Sequence, residues 1–130
     1  MVDWLRFDVT DEFLYVHILV GKLVELQPAT TEGTDEFCNE LYPVLDKIQD
    51  ICIEKNITQI CKADISNVDV TKIRPISLLK IIWNVYEYTK NNIMLSECNV
   101  SGSSPFFVTL FEATRGFLPP FMRKIVSISV

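Results

Sequence analysis

Apolar and polar positions change period several times along this chain, and each change marks an element. Residues 3–9 (DWLRFDV) alternate, with Leu5, Phe7 and Val9 on one face and Trp4, Arg6 and Asp8 on the other. That period of two predicts a half-buried strand. Residues 13–21 (FLYVHILVG) are almost continuously apolar and rich in Val, Ile and aromatic residues, as a more central strand would be. Thr10, Asp11 and Glu12 between them predict a hairpin loop, and Lys22–Leu26 are expected to prolong the second strand. The period then becomes helical. After a loop at 27–34, Thr34 is the expected cap for a helix that opens on Asp35 and Glu36 and runs to about Lys55. Phe37, Leu41, Val44, Ile48 and Ile51 make its apolar stripe, and Pro43 should kink it or delay its start.

The stretch 59–88 organises the remainder. A strand over 57–65 ends in polar residues, a turn occupies 66–74, and Pro75 opens a helix to about residue 90. That helix is apolar over more than one stripe, through Ile76, Leu78, Leu79, Ile81, Ile82, Trp83, Val85 and Tyr86. Either it is wedged between the sheet and another helix, or part of it is an exposed patch around Trp83 and Tyr86. Residues 93–100 predict a further strand and 101–105 (SGSSP) a turn in which Ser104 caps a helix and Pro105 opens it. Gly116, Pro119 and Pro120 should stop that helix, and 124–130 alternate again as a last strand. Strands alternating with helices after a hairpin predict one α/β domain over 1–130. Its sheet should be single, mixed and mostly parallel, with crossover helices.

Composition narrows the function classes. Nearly half of the 130 residues are apolar, enough for a core. The net charge is −5 and no basic block is present, which argues against nucleic acid as a partner. The longest apolar stretches fall far short of the ~20 residues of a membrane helix, and the start MVDWLRFDVTDEF lacks the form of a signal peptide. A soluble, cytoplasmic protein without an integral membrane segment is the expectation. Cys38, Cys52, Cys61 and Cys98 form no CxxC pair and His17 is the single histidine, so no metal site is expected. Each cysteine reads as a small buried thiol. No nucleotide-binding glycine motif or nucleophile elbow occurs, no cofactor is implied, and an enzyme is not expected.

Parallel sheets bind ligands beyond the C-terminal ends of their strands. That rim would carry Asp64, Ser66 and Asn67 after one strand and Ser101, Gly102, Ser103 and Ser104 after the next. The second set sits at a helix start, where free amides favour an anion, although serines before a proline are also ordinary caps. Thr71 and Ser77 flank the turn into the apolar helix, and Trp83 lies on that helix. These residues are the candidate partner- or ligand-binding set.

Two families share pieces of this pattern. The hairpin with VHILVGKL (16–23), the acidic helix and ADISNVDV (63–70) resemble the STAS domain of anti-sigma-factor antagonists and sulfate-transporter tails; Asp64, Ile65, Ser66, Asn67 and Val68 match its D-L-S-x-V strand end. Residues 99–128 (NVSGSSPFFVTLFEATRGFLPPFMRKIVSI) resemble the core of CRAL-TRIO lipid-transfer domains: a strand, a Pro-Phe turn, a helix, Phe-Leu-Pro, and a basic residue before a final strand. The first likeness implies a non-catalytic regulatory module that docks a protein partner through 66–77 and the apolar helix. There DVTKIRPIS (69–77) stands in place of the D-S-S-G-like segment of phosphorylation-switched members. The second likeness implies a binder of lipid or another small apolar ligand, with Phe106, Phe107, Phe111 and Trp83 as lining. The apolar helix also makes a homodimer conceivable.

Overall fold

The computed structural model describes residues 2–89, 95–117 and 120–130. Strands β1 (Leu5–Val9), β2 (Phe13–Leu19), β3 (Thr58–Asp64), β4 (Leu95–Ser101) and β5 (Val126–Ile128) form one sheet in the order β1-β2-β3-β4-β5. The first pair is antiparallel and the other three are parallel. Thr10 closes the hairpin: its hydroxyl donates to the Phe13 carbonyl at 3.0 Å and accepts from the Phe13 amide at 3.0 Å. The predicted mixed, mostly parallel α/β sheet is therefore the architecture of the chain.

Among the described residues five α-helices connect the strands: α1 (Val20–Leu26), α2 (Thr31–Lys55), α3 (Pro75–Thr89), α4 (Pro105–Thr114) and α5 (Pro120–Ile125). The order steps steadily away from β2, and parallel crossovers are right-handed, so successive crossover helices fall on the same face. The sheet is accordingly two-sided in composition. Leu5, Leu14, Val16 and Ile18 face the helices and belong to the core, whereas Arg6, Asp8, Lys62, Glu97 and Ser127 face outward and are exposed. On that open face Asp8 sits 3.2 Å from His17 Nε2, and Lys62 lies over the Tyr15 ring.

Four elements depart from the sequence expectation; at the C-terminal end Pro120 opens α5, which takes up Lys124 and Ile125, so the last strand is Val126–Ile128 and not 124–130. Lys22–Leu26 belong to α1, not to a longer strand. An apolar run fits either state, and here the helix buries Val24 and packs the half-buried Leu23 against the core. Helix α2 begins at Thr31 with Thr30 as cap, its hydroxyl accepting from the Gly33 amide at 3.0 Å. Thr34 is instead inside the helix and buried, and its hydroxyl donates to the Thr30 carbonyl at 2.9 Å. The helix also runs through Pro43 to a left-handed cap at Asn56, so Pro43 does not delay its start. Trp4 lies ahead of β1, not on its polar face, and stacks on Phe37 of α2 with ring centroids 5.7 Å apart. The ends expected at 90, 93 and 119 lie outside the described residues.

One irregularity changes which side chains reach the covered face. Between β3 and β4 the register moves from Gln59 opposite Leu95 to Ile60 opposite Glu97. Ser96 is the additional residue of this bulge. Its hydroxyl donates to the Gln59 carbonyl at 3.1 Å and accepts from Thr58 Oγ1 at 3.2 Å. The extra residue flips the remainder of β4, so that Glu97 faces water while Cys98 and Val100 join the covered face.

Candidate functional site

The predicted rim exists, because β3 and β4 end side by side. Asp64 is the register partner of Ser101, and the Ile65 amide donates to the Ser101 carbonyl at 2.9 Å. Gly102 has a φ of +84°, and a Cβ there would meet the Ser66 amide nitrogen and Cβ at 2.7 Å. Only glycine suits so close an approach in that conformation. The Ser103 amide donates to the Ser129 carbonyl at 3.1 Å, so β5 is tied to the same edge.

The hydroxyls of this rim are largely committed to the chain itself. Ser66 donates from both its amide (2.9 Å) and its hydroxyl (2.6 Å) to Asp64 Oδ1, and these bonds hold the Asp64 carboxyl below its ordinary range. Thr71 does the same to Asp69, with bonds of 3.0 and 2.6 Å. Ser77 donates to the Pro28 carbonyl at 2.8 Å, and Ser104 caps α4 by accepting from the Phe107 amide at 3.2 Å. Ser103 is buried with its hydroxyl unpartnered, and the Asn67 carbonyl is where a Cβ on Gly21 would collide, at 2.7 Å. These polar residues organise turns and crossings. Trp83 stands apart from them, 60% exposed and beside Tyr86 at 5.9 Å.

A different feature has the form of a binding site. Between the covered face of the sheet and helices α2 and α3 lies a cavity of about 460 Å³. Its floor is Leu5, Val16, Ile18, Gln59, Cys61 and Leu95 from the sheet. One wall is Leu41, Leu45 and Ile48 of α2, and the other is Ile81, Ile82 and Val85 of α3. Trp4 and Leu23 complete the lining, with polar groups at Asp46, Gln49, Tyr88 and Thr89. Helix α2 supplies its wall because Leu41, Leu45 and Ile48 recur at spacings of four and three, and α3 does so because Ile81 and Val85 are four apart. Tyr88 donates to Asp46 Oδ1 at 2.6 Å and stacks on Tyr42 with centroids 4.0 Å apart, joining the two helices at the polar end. That bond and the carboxylate raise the Tyr88 pKa.

Of the residues expected from sequence, Trp83 does not border this cavity, nor do Phe106, Phe107 and Phe111. Helix α4 has no buried residue, and Phe106 is 77% exposed. The outward face of α3, with Ile76, Leu79 and Trp83, is exposed as well, so α3 is not wedged between the sheet and a second helix layer. The cavity-lining side chains carried no distinctive sequence signal beyond the stripes of α2 and α3, because a cavity is defined by the space between elements.

The chain thus combines a hairpin feeding a parallel sheet with an apolar cavity between that sheet and its helices. Among solved structures the chain is similar to Sfh5, with a TM-score of 0.64 over 96% of this chain and 47% of that one. The identity is 16%, so the likeness is one of fold, and the chain spans about half the length of Sfh5. No family model matches the chain, and no curated protein matches it. The STAS resemblance finds no counterpart in these comparisons. Among the described residues no helix is long and apolar enough to cross a membrane, and no group of three or more His, Cys, Asp or Glu side chains could hold a metal ion.

Proposed function

We propose that this domain binds a lipid, or an apolar small molecule of similar shape, in the cavity between the sheet and helices α2 and α3. The observation that carries the reading is the cavity itself: about 460 Å³, walled by Leu, Ile and Val and bounded by a few polar groups. Small-molecule sites typically have about 300–1,000 Å³ and this kind of lining. The fold likeness to Sfh5 and the CRAL-TRIO-like order of residues 99–128 support the same reading.

The polar end selects the head of the ligand. Asp46 is a carboxylate there, exposed and with no cation among the described residues facing it across the cavity. It disfavours a fatty-acid carboxylate or a phosphate and tolerates an alcohol, ester or amide. The role is binding, without a catalytic step, in a protein whose four free thiols suit a reducing, cytoplasmic setting.

Native mass spectrometry of freshly purified protein tests this, followed by titration with hexadecanol and with palmitate. A co-purified lipid, or saturable binding of hexadecanol tighter than palmitate, is expected. A protein free of lipid that binds neither overturns the reading.

A second reading, a docking module for a protein partner, rests on the exposed apolar face of α3 from Ile76 to Trp83. Replacing Trp83 with Glu would abolish such docking and leave the cavity's ligand in place.

A further inference from the structure

The floor of the cavity carries a thiol, Cys61, that the binding role does not use, and a second thiol, Cys98, stands next to it on the neighbouring strand. Cys61 of β3 and Cys98 of β4 are direct register partners, placed opposite each other by the Ser96 bulge. Both face the helix-covered side, and Cys61 lines the cavity. Adjacent strands lie about 4.7–4.9 Å apart, inside the Cα separation of about 4.4–6.8 Å that a disulfide spans. The neighbouring Cys61 thiol holds the Cys98 pKa below its ordinary value, while Cys98 and burial push the Cys61 thiol up. Both residues are partly exposed, unlike Cys38 and Cys52, which are fully enclosed.

We propose that Cys61 and Cys98 form a reversible dithiol–disulfide site, oxidised by hydroperoxides that reach it through the cavity. The inference rests on the cavity being open to small ligands. In the first step the Cys98 thiolate attacks the outer peroxide oxygen. An S–O bond forms, the O–O bond breaks, and the departing oxygen takes a proton and leaves as an alcohol, or as water from hydrogen peroxide. Cys98 is then a sulfenic acid. In the second step the Cys61 sulfur attacks the Cys98 sulfur as Cys61 loses its proton. The S–S bond forms, the S–O bond breaks, and the hydroxyl leaves as water. Two thiols and one hydroperoxide thus give one disulfide, one alcohol and one water. The protein is the reductant, so the reaction is stoichiometric until a thiol reduces the bond again. Because Cys61 forms part of the cavity floor, a bound ligand covers the pair from that side.

The experiment exposes the reduced full chain to hydrogen peroxide, blocks the remaining thiols after denaturation, and maps the peptides. The expected result is a mass loss of two hydrogens and a fall in titratable thiols from four to two. The peptide holding Cys61 should be joined to the one holding Cys98, and dithiothreitol should reverse the change. Survival of all four thiols, or a disulfide that involves Cys38 or Cys52, overturns the proposal. In C61A the peroxide should carry Cys98 on to sulfinic acid; in C98A the other three thiols should stay reduced over the same exposure. Oxidation of C98A as fast as the parent overturns the assignment of Cys98 as the attacking thiol. Circular dichroism identifies a variant that has lost its fold, in which case the peptide map of the parent protein alone decides. A saturating amount of hexadecanol should slow the oxidation. If hexadecanol binds yet leaves the rate unchanged, the shared location is wrong; if it does not bind at all, the lipid reading fails while the peptide map still judges the thiol pair.

Discussion

Replacing Gly102 with alanine probes the rim where β3 and β4 end together. The residue holds φ at +84°, a region that costs an L-residue with a Cβ about 1–2 kcal/mol. The new Cβ would also stand 2.7 Å from the Ser66 nitrogen and 2.9 Å from its Cα, a clash with backbone that no rotamer change relieves. Moving the end of β3 aside adds a cost in the overpacking range, about 1–3 kcal/mol. The sum is about 3 kcal/mol, a fall of roughly 10 °C in Tm for a chain of this size. Gly116 supplies the control. It sits in a helical turn with nothing within 4 Å of its Cβ position, so Gly116→Ala should be neutral or stabilising by about 0.4–1 kcal/mol. Urea unfolding of both variants with matched m-values reads the difference directly. Stabilities within about 0.5 kcal/mol of each other would refute the close crossing of the two strand ends.

Further outcomes follow from the same geometry. Leu14→Ala, at a fully enclosed position on β2, should cost about 2–5 kcal/mol in chemical denaturation. Thr30→Ala should cost about 1 kcal/mol by removing the cap of α2, and thermal unfolding would show it. The depressed Asp64 pKa gives a stabilisation present in full above the unfolded carboxylate value of about 3.9 and lost as pH falls through the lower folded value; NMR titration of the carboxyl should place its midpoint below that unfolded value. Val85→Trp should fill the cavity, displacing about four methylenes of ligand. At about 0.8 kcal/mol each that is about 3 kcal/mol, a roughly 200-fold loss of hexadecanol affinity by calorimetry, with little change in Tm.

Much of the architecture was legible because its signals are local. Pro75 and Pro105 each open a helix where expected, and β3 and α4 begin within a residue or so of the positions that the period changes mark. Residues 20–26 fit a strand in sequence because the run from Phe13 onward contains no Gly or Pro except Gly21, and in the structure Gly21 lies in α1, where it allows a close approach to Asn67. The cap of α2 was misplaced because Thr30 and Thr34 are both followed by acids at suitable distances; burial of Thr34 settles the choice. The site was hidden for a different reason. Exposed Trp83 and Phe106 look like ligand anchors in sequence, whereas Val16, Leu41, Ile81 and Val85 look like ordinary core. Pairing of Cys61 with Cys98 likewise depends on the one-residue bulge at Ser96, since an unbulged register would have set Glu97 opposite Cys61.

The central claim is that a ligand occupies the space under α3, against the sheet. Contacts between 13C-labelled hexadecanol and the methyl groups of the protein, measured by NMR on the complex, test it most directly. The account predicts cross-peaks to Val16, Ile18, Ile81 and Val85. Contacts confined to the outward residues Ile76, Leu79 and Phe106, or none at saturating alcohol, would contradict it.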